Sequence, residues 1–332
     1  MLRYTALVLG VSLIAAAQTN PPRIKPPKKE KEPETQILPL PPEPPTAVIA
    51  ETGKLAFHVS PLSGKGLLTQ QVHDALKALD RANGGATFVK LRAFVAGTGD
   101  MRRVATIVAE DFSVKKMPLP AVTTIQVGAL PMEGAQVVIE SISQEKNDKK
   151  TLNPNGLAFF SAQRAPELAV AAKAQDAVMV QVTCFVGDLN QVESARAAAA
   201  SAFPGAAANF VQLTRLAVEP GISCEGVGRL QKPGNSPPKL VFTGIQMAFG
   251  DQDQAFRLAY GRLGRALETL KAGYADTVVM SVYSLNRAVA DKAAALAPEF
   301  LGRVHPAGST QIVEGLPSLD ATVAIELVAA GP

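Results

Sequence analysis

The sequence predicts an α+β architecture of three tandem units, and three observations carry that reading. A short apolar strand of the form Leu, then Ala or Val, then Phe occurs three times, at Leu55–Phe57, Leu157–Phe159 and Leu240–Phe242. Each is followed by an alternating strand that runs into a helix closing on phenylalanine, at Phe112, Phe203 and Phe300. Each unit then ends on a strand whose apolar residues surround one glutamate: Glu140 in "VVIESIS", Glu225 in "ISCEGVG" and Glu326 in "VAIELVA". Period-two alternation marks strands, and self-similarity at a fixed spacing marks repeated units.

Taken in order, residues 1–17 have a basic start (Arg3), an apolar run from Ala6 and a small-residue end, the layout of a secretory leader. The apolar run is short for a membrane span, so the reading is cleavage after Ala17 and export to the periplasm or the exterior, with no span after cleavage; an uncleaved anchor is the alternative. Residues 18–49 are rich in Pro and mixed charge, an extended spacer. Unit one, 50–145, holds the amphipathic "LLTQQVHDALKALDRA" and a second helix with Met101, Val104, Ile107 and Val108 on one face. Asp100, and Asn190 in unit two, sit where a side-chain oxygen would cap a helix. Unit two, 153–231, has only "APELAVAAKAQ" for its first helix, a shortened and degenerate copy. Unit three, 238–330, restores the long helix in "QAFRLAYGRLGRALETLKAG".

Composition narrows the function. The chain has 332 residues, 47% of them hydrophobic, enough for a sizeable core. Tryptophan is absent and aromatics make up 5%, which offers no stacking platform for bases. The net charge of +4 includes a solvated tail of mixed sign, so nucleic acid is not an expected partner. Cys184 and Cys224 are the two cysteines. They fit a disulfide in an oxidising compartment and equally fit buried thiols. His58, His73 and His305 are scattered and show no metal-ligand spacing. Gly97 and Gly99 lack the third glycine and the acid of a dinucleotide site. No nucleophile elbow or Cys–His pair is present, and no cofactor or metal is expected.

One phrase is repeated with a difference: "LPAVTTIQVGALP" at 119–131 and "HPAGSTQIVEGLP" at 305–317. With the closing "v-IE-a" strand and the helix-ending Phe, this resembles the Rid (YjgF/L-PSP) family, across essentially all of the chain after the spacer. The resemblance is strongest in unit three and weakest in unit two. It implies a chorismate-mutase-like fold for each unit, a mixed sheet with helices on one face. Family members are homotrimers with ligand clefts between subunits, so it also implies that this chain folds into an intramolecular pseudotrimer, a monomer with clefts between its units.

The family's known activity is hydrolysis of enamines and imines. An arginine after Pro-Ala grips the substrate carboxylate, and the closing-strand glutamate positions water. A guanidinium suits the first task because its fork is planar and always charged. Here the arginine slots hold Val122, Ala208 and Gly308, while the glutamates remain as Glu140, Glu225 and Glu326. Read without the resemblance, those glutamates are solvated strand ends. Arg164 and Arg215 are the residues considered as replacement anchors. Clefts without a cation disfavour anionic substrates. The expectation is therefore a non-catalytic or divergent binder of a small neutral or cationic molecule. The alternatives are a Rid-type deaminase with a relocated anchor and a structural or partner-binding module.

Overall fold

The alternating stretches fold as strands and the amphipathic ones as helices. A computed structural model describes residues 41–50, 54–97, 100–145, 156–213, 222–231 and 240–331, all of them in the unit Pro41–Pro332. The leader-like segment, residues 18–40 of the spacer, Gly99 and Arg215 lie outside the described residues.

Three mixed sheets are formed. The first contains β2 (Leu55–Val59), β3 (Thr87–Ala96), β4 (Ala121–Val127) and β5 (Val137–Gln144), in the order β2-β5-β3-β4. Strand β1 (Ala47–Ile49) joins the second sheet, with β6 (Leu157–Arg164), β7 (Ala177–Val186), β8 (Ala207–Gln212) and β9 (Ser223–Leu230), in the order β1-β6-β9-β7-β8. The third contains β10 (Leu240–Phe242), β11 (Gln246–Phe249), β12 (Thr277–Ser284), β13 (Ala307–Ile312) and β14 (Ala321–Ala330), with β10-β14-β12-β13 in order and β11 also on β14. In each sheet the closing strand runs antiparallel between the first and middle strands, and the middle strand is parallel to the one after it. A parallel pair requires a crossover, and a helix supplies it each time.

The helices preceding the middle strands are α1 (Leu68–Asn83), α3 (Ala165–Ala174) and α5 (Asp253–Thr269); those following them are α2 (Met101–Val114), α4 (Val192–Ala202) and α6 (Arg287–Leu296). Helix α3 has 10 residues against 16 in α1 and 17 in α5. Helix α1 buries Val72, Ala75, Leu76 and Leu79, one face of a 3.6-residue period, and ends at Gly84, whose φ of 57° is the left-handed conformation glycine tolerates best. Asp100 caps α2 by accepting from the Arg102 and Arg103 N–H groups. Phe112 and Phe203 are buried, and Phe300 stacks on Tyr260 with ring centroids 4.9 Å apart.

Two sequence expectations are corrected. Residues 47–49, assigned to the spacer, pair with β6 as an edge strand. Their pairing is long-range, so local composition gives no hint of it. Ahead of α4 the cap is Asp188, whose carboxylate accepts from Asn190 N–H, and Asn190 itself lies inside the 3₁₀ turn.

Register relates the three sheets position for position. Opposite Glu140, Glu225 and Glu326 on the closing strands stand Arg92, Thr183 and Ser281 on the middle strands. Two residues earlier on those strands are Lys90, Gln181 and Val279, and two later are Phe94, Phe185 and Tyr283. Phe57, Phe159 and Phe242 of the first strands pair with Ile142, Val227 and Val328, each two residues beyond its glutamate. Each sheet packs one face on its own helices. The opposite faces meet in two shared cores, one containing Phe94, Phe185 and Tyr283, the other Phe159 and Leu240 with Phe57 and Phe242 against it. The polar positions lie between these two apolar layers.

Candidate functional site

Where the three sheet faces converge there is a cavity of about 90 Å³. Its wall includes Lys90, Arg92, Glu140, Glu225, Glu326 and Gln181. Period-two geometry explains the assembly: on β3, Lys90 and Arg92 alternate with Leu91 and Ala93, which pack on the helix side, so the charged pair points to the other face. The closing strands place one carboxylate each at the matching level.

The charged groups form a directed ring. Lys90 Nζ donates to Thr123 Oγ1 at 2.8 Å, to the Phe160 carbonyl at 2.5 Å and to Glu225 Oε2 at 2.6 Å. An ammonium has three donors, so all are engaged. Arg92 donates from Nε to Glu140 Oε2 at 2.7 Å, from Nη1 to Glu225 Oε1 at 3.1 Å and from Nη2 to Ser281 Oγ at 3.1 Å. Its guanidinium also lies over the Phe94 ring at 5.2 Å. Ser309 Oγ donates to Glu140, and Asn209 Nδ2 donates to Glu326 Oε1 at 2.7 Å. The seams between sheets carry backbone bonds of the same kind: Thr123 Oγ1 accepts from Ala162 N–H at 2.9 Å and Asn209 Oδ1 from Ile245 N–H at 2.9 Å.

These surroundings divide the carboxylates. Burial alone would raise Glu225, but Lys90 and Arg92 beside it hold it down at about 2. Glu326, equally buried, is pushed above the usual carboxylate range by desolvation, which Arg92 at a distance and the Asn209 and Gln181 amides offset only in part. The Tyr283 hydroxyl is also pushed up by burial, and it has no hydrogen-bond partner among the described residues. Ser141 Oγ, on the face of β5 opposite Glu140, is likewise buried without a partner among the described residues. Among the described residues no His, Cys, Asp and Glu grouping is arranged to hold a metal ion.

All three predicted glutamates line this cavity. The three arginine slots share one register position, opposite Leu91, Val182 and Met280, yet face different surroundings. Val122 packs against the helix-side core, Ala208 is exposed, and Gly308 lies on the cavity wall. The expectation of a site without a cation is corrected: the slots lack arginine, but Arg92 and Lys90 enter from β3. Arg164, considered as a replacement, is exposed and paired with Glu167. Lys90 and Arg92 were missed, although a Lys and an Arg two apart in an apolar strand, matched by Gln181/Thr183 and Val279/Ser281, are a visible irregularity.

Gly308 is fixed by close strand approach, because a Cβ there would lie 2.1 Å from the Met280 carbonyl oxygen. Gly308→Ala is therefore expected to lower stability by about 1–3 kcal/mol through forced backbone movement, read as a reduced urea midpoint with unchanged slope. An unchanged midpoint would show that β12 and β13 separate freely there.

The helix-side faces are closed by a covalent tie, with Cys184 on β7 bonded to Cys224 on β9. No helix among the described residues is long and apolar enough to cross a membrane.

No family model matches the chain, and no curated protein does. Among solved structures, a chorismatase aligns over 85% of this chain and 99% of its own, at 14% identity and a TM-score of 0.53. A cyanuric acid hydrolase, described as an innovation by structural concatenation, aligns over 85% of this chain and 100% of its own, at 12% identity and a TM-score of 0.44. A YjgF/YER057c/UK114 family member from Mycobacterium tuberculosis aligns over 28% of this chain and 79% of its own, at 26% identity and a TM-score of 0.26. The chorismatase likeness shows the fold: an α+β architecture of three mixed sheets running through most of the chain.

Proposed function

We propose that this chain is three Rid-like units closed into an intramolecular ring, exported, and used to bind a small molecule in the cavity on the ring axis without turning it over. One observation carries the non-catalytic reading. The two cations of the site already engage carboxylates: Lys90 makes three hydrogen bonds and the Arg92 guanidinium is shared between Glu140, Glu225 and Ser281. A clamp for a substrate carboxylate would have to break these bonds, and charge-assisted bonds of this kind contribute about 1.5–3 kcal/mol each. The wall also carries an apolar group, Phe57, Phe159, Phe242, Val227 and Val328. Such a site suits a small neutral or cationic molecule. The leader-like first 17 residues and the Cys184–Cys224 bond support export.

A second reading has its own observation: Arg92 is a guanidinium relocated to the same cavity as the glutamates, which fits a deaminase of altered geometry. Ammonia release from freshly generated 2-iminopropionate separates the two. The binder reading expects no release above the uncatalysed rate, together with thermal stabilisation by members of a panel of small neutral and cationic metabolites. Turnover that both Arg92→Lys and Glu140→Gln abolish would establish the deaminase instead.

A further inference from the structure

The ring of charges is complete in two places and incomplete in the third. Lys90 and Thr123 of the first sheet serve Glu225 of the second. Arg92, with Ser309 of the third sheet, serves Glu140 of the first. By the same rotation, Gln181 and Asn209 of the second sheet serve Glu326 of the third, and both are uncharged amides. Among the described residues no cation lies within ion-pair distance of Glu326. The cavity wall thus presents two cations against three carboxylates, and Glu326 is the one left unmatched.

The space beside it has the shape for a replacement. The position that in the first sheet carries Lys90 toward Glu225 carries Gln181 toward Glu326, an uncharged amide, and elsewhere on the wall Val279, Ala307 and Gly308 add little side-chain volume. One pleat further along, about 7 Å on, Phe242 and Val328 with Phe57 and Phe159 form an apolar collar. A cavity of about 90 Å³ has room for several waters, enough for an ion of a few heavy atoms.

Resting on the reading of this cavity as a ligand site, we propose that its ligand is a small alkylammonium ion, its head group bound to the Glu326 carboxylate, which faces Gln181 where Glu225 faces Lys90, and its alkyl part held in the Phe57, Phe159 and Phe242 collar. Burial favours the protonated form of Glu326 in the free protein, so the incoming ion displaces that proton. The other charged or titratable groups around it are Lys90 and Arg92 on β3, Glu140 on β5, Glu225 on β9, Tyr283 on β12 and His58 on β2. Affinity rises with pH as Glu326 ionises, and falls up to tenfold per pH unit below its folded pKa.

The test is isothermal titration of the full chain with three probes of one shape: n-butylammonium, n-butanol and butyrate. Butylammonium is expected to bind at least tenfold more tightly than butanol at pH 8, with an affinity that falls as the pH is lowered. Titration on the falling part of that curve in two buffers of different ionisation enthalpy should show a proton released, retained in a His58→Gln background. Glu326→Gln should weaken butylammonium at least tenfold and leave butanol unchanged. Should that variant not fold, the wild-type proton release decides. Equal binding of butanol and butylammonium overturns the cation assignment and leaves the ligand site standing. Preference for butyrate overturns it in favour of an Arg92 anion clamp. Absence of binding by all three overturns both the assignment and the cavity as a ligand site.

Discussion

Glu225→Gln is expected to lower the stability of the chain by about 3–5 kcal/mol at neutral pH, the range seen when one member of a buried ion cluster is removed. Glu225 is 3% exposed and holds both Lys90, at 2.6 Å, and Arg92, at 3.1 Å. Glutamine keeps the shape and one acceptor but leaves two buried cations facing Glu140 alone. Desolvation then goes uncompensated, and that term exceeds the hydrogen bond lost. The pH dependence gives an independent check. The folded pKa is held at about 2 from an ordinary 4.5. The contribution is therefore fully present above 4.5 and is lost as pH falls through the window down to 2, amounting to about 3 kcal/mol by linkage. Glu326 runs the other way: its raised pKa means stability is lost as pH climbs from the ordinary carboxylate value through the folded one. Urea titrations of wild type and Glu225→Gln across pH 2–7 should converge at the acid end. Adding Lys90→Met to Glu225→Gln should recover at least about 1 kcal/mol, because the orphaned ammonium is gone. A single-variant loss below about 1 kcal/mol, or curves that stay parallel down to pH 2, would mean that Glu225 is not ionised between the two cations.

The parts of this site that were legible in the sequence are those that repeat. Phe57, Phe159 and Phe242 and the three closing-strand glutamates recur with fixed neighbours, and register places each set at one level. Lys90 and Arg92 do not repeat, and a strand such as "FVKLRAFV" read alone looks like a sheet with one face on helices and one in water. Only the meeting of three such faces buries the charged side, and that is a long-range event with no local signal. The short strand β1 escaped for the same reason, since its partner β6 begins more than a hundred residues later. The arginine slots were legible as positions but not as environments. Val122, Ala208 and Gly308 share one register, yet Val122 packs on the helix-side core, Ala208 is exposed, and Gly308, with no side chain, borders the cavity through its backbone. The cysteines were left open because pairing depends on register between β7 and β9, which spacing does not reveal.

Replacing both Cys184 and Cys224 by alanine is expected to lower stability by about 2–4 kcal/mol relative to the oxidised wild type. Closing a loop of 40 residues restricts the unfolded chain by about 4 kcal/mol in the chain-entropy account, an upper figure because denatured chains retain some structure. Both residues are buried on the helix side of the second sheet, while their neighbours Thr183 and Glu225 face the axis. A slip of one residue between β7 and β9 would exchange those faces and put Glu225 among the helices. Two devices oppose that slip: the covalent tie on one face and the Lys90–Glu225–Arg92 cluster on the other. The ion cluster specifies register by itself, because a carboxylate moved to the helix side would lose both cations. The disulfide should therefore contribute to the free energy of unfolding and leave the site unchanged. The alanine pair is expected to unfold at lower urea while Glu225 keeps its acid titration and butylammonium its affinity. Coupled losses in all three measurements would show instead that the disulfide, not the charges, sets the register that points Glu225 at the axis.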